Sequence, residues 1–479
     1  MHSSSKPLTR DACRRHLVES TFRLRPSDWT VRYPKWPGAT GLEIEMLPVF
    51  AGQHGQPKSV PLQGGSDALA GWLRSLASEM PGWTTENFPE SDVLASVTMD
   101  EGDKLTFEPG GQLEFSSVPY PCLADASRRM TKVQMILDRA LAERGVELVQ
   151  LGVNPWHTVE GIGLQMQKPR YRAMNAYFAA VGPWGQRMMR QTCTVQVNLD
   201  FGADEQTMAR RFLAAQLIAP IAGATFANSG FVDGSRADVR AFRPLIWLGL
   251  DGTRTGIPAG LDRVSREWSR ESCVAVYEDF LMSSRVVFIE SLGFKVPPQP
   301  LTWSEWLDTP FEGVSPTQKD LETQLSLLFP EVRARGFLEL RSVDCQARAW
   351  QIVPAAWWTG LLYDAKSLSA VLDLLIPSMG QLGELMREVP RGLGSPRIAS
   401  LAPKVMQLAI EGFSRLAPCF QGEGSRAALE LFARHFTSRL RSPVDDLIDA
   451  ARSEPSQGLG LAVLRRVETG WNDLLARSS

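Results

Sequence analysis

Alternation of apolar and polar positions marks four strand-like passages along the chain, and their polar faces are unusual. In Thr40–Val49, Glu43 and Glu45 alternate with Leu42, Ile44 and Met46. Side chains alternate across a strand, so both carboxylates share one face. Two acids so placed usually lie on a solvated surface. A second passage, Thr106–Ser116 (T-F-E-P-G-G-Q-L-E-F-S), puts Gln112 and Glu114 on one face and Leu113 and Phe115 on the other. Its Pro109-Gly110-Gly111 turn brings Glu108 round toward the same point. In the third, Met188–Phe201, Thr194, Gln196, Asn198 and Asp200 alternate with Cys193, Val195, Val197 and Leu199. That polar face is rich in amides rather than Lys or Glu, which suits a cavity wall as well as an outer sheet face. In the fourth, Leu328–Gln346, Leu338 and Leu340 face one way and Glu339 and Arg341 the other. A Glu and an Arg two apart on a strand most often form a plain salt bridge. Opposite a group of carboxylates, such an arginine is also suited to a phosphoryl or carboxylate group.

Between these passages the period changes to that of helices. Residues 8–24, Ala68–Met80, Ser127–Arg144 (with Met130, Val133, Leu137 and Leu141 on one stripe) and Arg170–Ala180 are predicted helical. So is Thr207–Ala219, with Pro220 ending it. Residues 51–66 form a polar loop, Val146–Leu151 a strand, and Ala227–Gly230 a turn, while Ala241–Trp247 leads toward another buried strand. The stretch Val286–Pro316 is loop-rich and suits a boundary or a lid. Beyond Asp364 helical stripes dominate, broken at Pro390–Pro396. The expected organisation is a catalytic core over 1–365 and a helical layer over 366–479 packed on it, with His435 a packed residue of an apolar stripe.

Composition narrows the function classes. A net charge of −2 gives no bulk reason to expect nucleic acid or an anionic membrane as partner. No apolar run approaches the ~18 residues of a membrane span, and the N-terminus lacks an apolar secretory core. A cytoplasmic location is therefore expected. The cysteines (13, 122, 193, 273, 345, 419) form no C-x-x-C pair, and the histidines form no ligand spacing. There is no phosphate loop of the G-x-x-x-x-G-K-[ST] type and no G-x-S-x-G elbow. Cys193 and Cys345 lie beside the polar strands and read first as packing residues.

Taken together, F-E-P-G-G-Q-L-E (107–114), R-Q-T-C-T-V-Q-V-N-L-D-F (190–201) and F-P-E-V-R-A-R-G-F-L-E-L-R (329–341) resemble the second family of glutamate–cysteine ligases. The resemblance runs from about Gly41 to Asp364 and includes F-A-N-S (226–229), W-L-G-L-D-G-T-R-T-G (247–256) and G-L-L-Y-D (360–364). Some passages are similar to the plant and proteobacterial glutathione-pathway enzymes, others to the actinobacterial ergothioneine-pathway enzymes. The chain departs from the family at Gln324, where a histidine is usual, and at Pro244, where a serine is common in the plant type.

The resemblance implies an α+β, glutamine-synthetase-like fold: a curved, mainly antiparallel sheet forming a funnel, backed by helices. It implies that the γ-carboxylate of glutamate takes the γ-phosphate of ATP, and that the amine of cysteine then attacks the acyl phosphate. Phosphoryl transfer needs cations at the phosphate oxygens, and clustered carboxylates on rigid strands suit Mg²⁺. By match to the family's motifs, Glu43, Glu45, Glu108, Glu114, Gln196 and Glu339 are the expected metal and nucleotide-phosphate residues, with Asn198 beside Gln196. Arg341, with Glu339, would act at the transferring phosphoryl group, and Arg190 and Arg243 would bind glutamate's carboxylates. The expected partners are L-glutamate, L-cysteine and ATP, with the protein a monomer or homodimer. Two other readings stay open: the same chemistry with a different amine, and a non-catalytic nucleotide-binding protein on the same scaffold.

Overall fold

Strand β1 (Thr40–Phe50) is the axis of the protein because both of its edges are paired along much of its length. The computed structural model describes residues 7–33, 35–51, 57–65, 67–452 and 458–477; residues 52–56 and 66 of the polar loop, and the first six residues, lie outside that set. After β1 come β2 (Lys58–Ser59), β3 (Thr84–Asn87), β4 (Leu94–Thr98), β5 (Lys104–Phe107), β6 (Leu113–Ser116) and β7 (Val146–Val149). Then follow β8 (Val195–Leu199), β9 (Phe231–Val232), β10 (Ser235–Arg236), β11 (Val332–Ala334) and β12 (Leu338–Leu340). The main sheet runs β11-β12-β8-β1-β6-β5-β4-β3, with β2 and β7 pairing the far end of β1. All these pairings are antiparallel.

Register turns the alternation read from sequence into rows across one face. Glu45 lies opposite Glu114 on β6, and Glu114 opposite Thr106 on β5. One step along, Glu43 is flanked by Ser116 and Gln196. One step further, Gly41 faces Asn198, and Asn198 faces Glu339. The opposite face is apolar apart from the buried Thr40: Leu42, Ile44, Leu113, Phe115, Val195, Val197, Leu338 and Leu340 are all buried in the core. One-sided burial of this kind fixes register, because a one-residue slip would turn every carboxylate into the core.

Helices back the apolar face. The helix Glu205–Thr225 is buried from Arg211 to its end and continues through Pro220, where the sequence pattern places a stop. Proline removes one hydrogen bond, a loss that packing on all sides of a buried helix can offset. Ala241–Trp247, expected to lead into a strand, instead opens the helix Phe242–Gly249. Pro244 is its third residue, where the backbone N–H has no helical acceptor, so proline fits. The alternating stretch before β8 is likewise helical as far as Gln191 (Trp184–Gln191), and the loop-rich region holds a short helix, Trp303–Asp308, closed by a Thr302–Glu305 capping box.

Helices Ala365–Leu375, Pro396–Arg415 and Ser425–His435 follow the predicted stripes. Gly412 lies against the Gly360 carbonyl, so that Pro396–Arg415 packs tightly on Val353–Tyr363; a Cβ on Gly412 would come within 2.0 Å of that oxygen. His435 stacks edge-on against Phe436 and pairs with Asp446. Among the described residues no helix is long and apolar enough to cross a membrane.

Candidate active site

The polar face of the sheet floors a cavity of ≈ 750 Å³, into which Glu43, Glu45, Glu108, Glu114, Gln196, Asn198 and Arg341 project. Glu108 arrives by the turn foreseen from its glycines. Its N–H bonds the Gln112 carbonyl across the turn, and Gly111 sits at φ 86°. Gly110 packs against the backbone of Arg190, where a Cβ would lie 2.3 Å from the carbonyl oxygen, so only glycine fits there. This contact ties the Glu108 turn to the helix that leads into β8.

Carboxylate oxygens of Glu45, Glu108 and Glu114 lie within 4.8 Å of one another. Glu45 accepts from the Thr194 N–H at 2.8 Å and from the Gln196 amide at 3.3 Å, and Glu114 accepts from the Thr106 hydroxyl at 2.5 Å. Among the described residues none of the three is in a salt bridge. Three converging hard oxygens to which no protein cation is bonded fit a small divalent ion. Glu43 stands one row away and accepts from the Asn198 amide at 2.8 Å.

Burial, then the neighbouring acids, raises these carboxyls above their ordinary range. Glu43 is pushed up to about 8 by burial and by Glu339 and Glu114. Glu114 is pushed up to about 7 by burial and by Glu108, while Glu45 and Glu108 move in the same direction. A folded-state value above the unfolded one means that the fold holds protons the unfolded chain releases. The stabilising contribution is therefore complete below the ordinary value of 4.5 and lost as pH rises through about 7 and 8. The metal-free protein should accordingly melt at progressively lower temperature from about pH 5 to 8.5 in chelator, and Mg²⁺ should flatten that slope. A melting temperature that climbs across this interval would contradict the assignment.

Glu339 is placed differently. It is fully buried and takes no part in lining the cavity. Arg333 grips it with two nitrogens, Arg335 donates at 2.7 Å and Arg341 at 3.0 Å. Burial alone would raise its carboxyl; Arg333 and Arg341 instead hold it well below the usual range. Arg341 also donates to Gln196 at 2.7 Å, which aims it over the floor. Arg333 and Arg335, which the strand pattern did not single out, line the cavity. Their signal lay in V-R-A-R-G-F-L-E: a hairpin closing at Gly336 pairs Arg333 with Glu339 directly.

Arg190 and Arg243 stand one layer behind the wall, which their neighbours Met189 and Trp247 form. Arg190 donates to the Val159 carbonyl at 3.1 Å and to Asn175 at 2.5 Å. Arg243 is completely buried, donates from Nε to Asp344 at 2.8 Å and stacks on Trp247 at 5.1 Å. Among the described residues its Nη1 and Nη2 have no hydrogen-bond partner. Pro244, one of the departures from the family pattern, lies in the first turn of that helix. Gln324, the other, is buried and donates to Ser284 and to the Arg285 carbonyl.

A sheet face that gathers acids beneath an arginine has the chemistry to hold a cation and an anion side by side. The family model described as glutamate-cysteine ligase family 2 (GCS2) matches residues 39–392, and the chain belongs to that family. Its relatives include the chloroplastic glutamate–cysteine ligases of Solanum lycopersicum, 31% identical over 73% of this chain and 66% of that protein, and of Arabidopsis thaliana, 32% identical over 73% and 66%. The chain thus spans a little under two thirds of the length of such relatives. Among solved structures, a bifunctional glutathione synthetase from Pasteurella multocida superposes over 93% of this chain and 54% of that one, at TM-score 0.41 and 13% identity, a likeness too low to argue from.

Proposed function

We propose that the protein joins glutamate to cysteine at the expense of ATP, forming γ-glutamylcysteine through a γ-glutamyl phosphate, on a glutamine-synthetase-like, funnel-shaped sheet. The observation that carries this reading is the convergence of Glu45, Glu108 and Glu114 beneath Arg341. Forming an amide from a carboxylate needs an activated leaving group, and phosphoryl transfer is mostly positioning and charge neutralisation. Glu45, Glu108 and Glu114, with Glu43 and Gln196 beside them, would hold Mg²⁺, which would neutralise charge on the ATP phosphates. Asn198, which orients Glu43, would belong to the nucleotide side of this set. Arg341 would stabilise the transferring group. Glu339 would serve first by holding Arg333, Arg335 and Arg341, its oxygens becoming free for the cation as those arginines turn to phosphate.

Glutamate's carboxylates are assigned to Arg243, which keeps two free guanidinium nitrogens, and to Arg190, reached past Trp247 and Met189. The same end of the cavity carries Met174, Met188 and Phe329, soft apolar surface suited to a thiol-bearing side chain. That surface favours cysteine over other amines, while an apolar amine would fit the same lining. Residues 1–365 would form the catalytic core and 366–479 the layer packed on it, as monomer or homodimer. Six unpaired cysteines suit a reducing compartment such as the cytoplasm, in either glutathione or ergothioneine synthesis.

Purified protein with Mg·ATP should release ADP only when glutamate and cysteine are both present, with a product of the mass of γ-glutamylcysteine. Preference for another amine would replace cysteine and keep the ligase class. ATP turnover that ignores glutamate would refute the reading altogether.

A further inference from the structure

Residues that precede the family match build one end of the cavity. The match begins at residue 39, yet Arg23, Leu24, Arg25, Pro26 and Trp29 all line the cavity. They form a strap anchored at several points. Phe22 is fully buried among Phe201, Phe212 and Tyr277. The Thr21 carbonyl accepts from Gly336 at the β11–β12 turn, the Arg25 N–H donates to Gly202 beyond β8, and Arg25 Nη1 donates to Pro37 at 2.7 Å.

Strand register gives the cavity a direction. Going down β1 and β8, the floor runs from Glu45 and Thr194, through Glu43 and Gln196, to Gly41 and Asn198, then to Ala39 and Asp200 under the strap. At ~3.3 Å per residue, Gly41 stands roughly 13 Å from Glu45. Beyond Glu45 lie Thr192, Met188, Met189 and Trp247, with Arg190 and Arg243 behind them. The two amino acids, on the function proposed above, occupy that end. A phosphate donor reaching the same carboxylates must then lie along the other half, its phosphates near Arg341 and Arg335 and its far end under the strap.

That far end is built for a flat heterocycle on a charged tail. Trp29 and Phe337 supply aromatic surface, and Arg23 and Arg335 supply positive charge, with Lys104 on the Glu43 row beside them. Trp29 Nε1 is shielded from solvent and, among the described residues, meets no acceptor, which leaves an in-plane donor for a ribose hydroxyl. We propose that the N-terminal strap is the nucleoside subsite of this enzyme, with Trp29 stacking on the base of the nucleotide. The inference rests on the ligase reading for its orientation but adds residues that lie outside the family match.

The test uses the full chain with Mg²⁺ and a fluorescent ATP analogue, displaced in turn by ATP and by inorganic tripolyphosphate, which has no base. Trp29→Ala should weaken ATP by roughly five- to a hundredfold, the range of one lost aromatic–base stack, and leave tripolyphosphate within about twofold. Trp29→Phe should recover most of the ATP affinity. Should Trp29→Ala lower the melting temperature, Trp29→Leu keeps apolar bulk without the ring and carries the same comparison. Equal ATP affinity in wild type and Trp29→Ala, or parallel loss of ATP and tripolyphosphate, overturns the subsite. A wild-type protein that binds no nucleotide overturns the ligase reading itself.

Discussion

Glu114→Gln is expected to cut ATP-dependent turnover by about a hundredfold or more while the metal-free protein becomes more stable. Glu114 is one corner of the three-carboxylate cluster, and its carboxyl is pushed up to about 7 by burial and by Glu108. Above that pH the folded protein must keep a partly buried charge within 4.8 Å of two further carboxyls. The cost is on the order of 1–3 kcal/mol, since a tenfold change in an ionisation equilibrium is worth about 1.4 kcal/mol. Glutamine keeps the shape and can still bond the Thr106 hydroxyl, but it relieves the repulsion. The same change removes one of three hard ligands from the cation, and electrostatic groups aimed at a reacting phosphate are commonly worth ~10²–10³ in rate. Stability up, activity down and partial recovery in excess Mg²⁺ is the expected combination. A drop in melting temperature at about pH 8 with activity near wild type would mean that the cluster is structural.

The second large effect concerns the cage around Glu339, and here the structure reverses what the strand pattern alone suggests. A carboxylate in a crowded acidic site could be neutralised without harm to the fold. Glu339, however, is the shared counter-ion of Arg333, Arg335 and Arg341. Glu339→Gln leaves three guanidiniums converging on a buried neutral amide, and breaking a buried pair from one side typically costs ~3–5 kcal/mol. The variant should melt well below wild type, and a phosphate-bearing ligand should restore part of the loss by supplying the missing negative charge. Arg341→Lys should behave in the opposite manner. Arg333 and Arg335 still satisfy Glu339, so the fold should hold, while turnover falls by roughly ten- to a thousandfold because a lysine loses the planar guanidinium, which holds Gln196 and Glu339 through Nη1 and would have its other nitrogens left for a phosphate. Thermal melts with and without Mg·ATP, set beside turnover, separate the two roles. Near-normal stability of Glu339→Gln would refute the cage.

Legibility in the sequence followed one-sidedness. The alternation in β1 and β8 could be read because one face is core and the other is not, and Glu43, Glu45, Gln196 and Asn198 came with it. The Glu108 turn could be read because its glycines are required by φ and by contact. Phe242–Gly249 could not: a short apolar run buried on several sides carries no period that distinguishes helix from strand. Pro220 misled because the breaking rule assumes an exposed helix with nothing to offset the lost bond. Arg333 and Arg335 lay in a stretch already noted for Glu339 and Arg341, but their role depends on a cross-strand pairing rather than on spacing along one strand. Strap residues 25–29 lie beyond the helical stripe read over 8–24, and what they do is set by the sheet end they cross.

The strand order also dictates when the site comes into being. Glu43, Glu45, Glu108 and Glu114 all leave the ribosome well before β12, which completes the row beside β8 and begins only at Leu338, between two and three hundred residues later. Closing such distant pairs spends chain entropy before any contact rewards it, which makes folding slow. Through that interval Arg341, the arginine whose charge bears on all four acids, does not yet exist. The complete site is therefore a late product of folding, and truncation before residue 333 removes Glu339 together with the three arginines it holds, leaving the acidic floor without Arg341 above it.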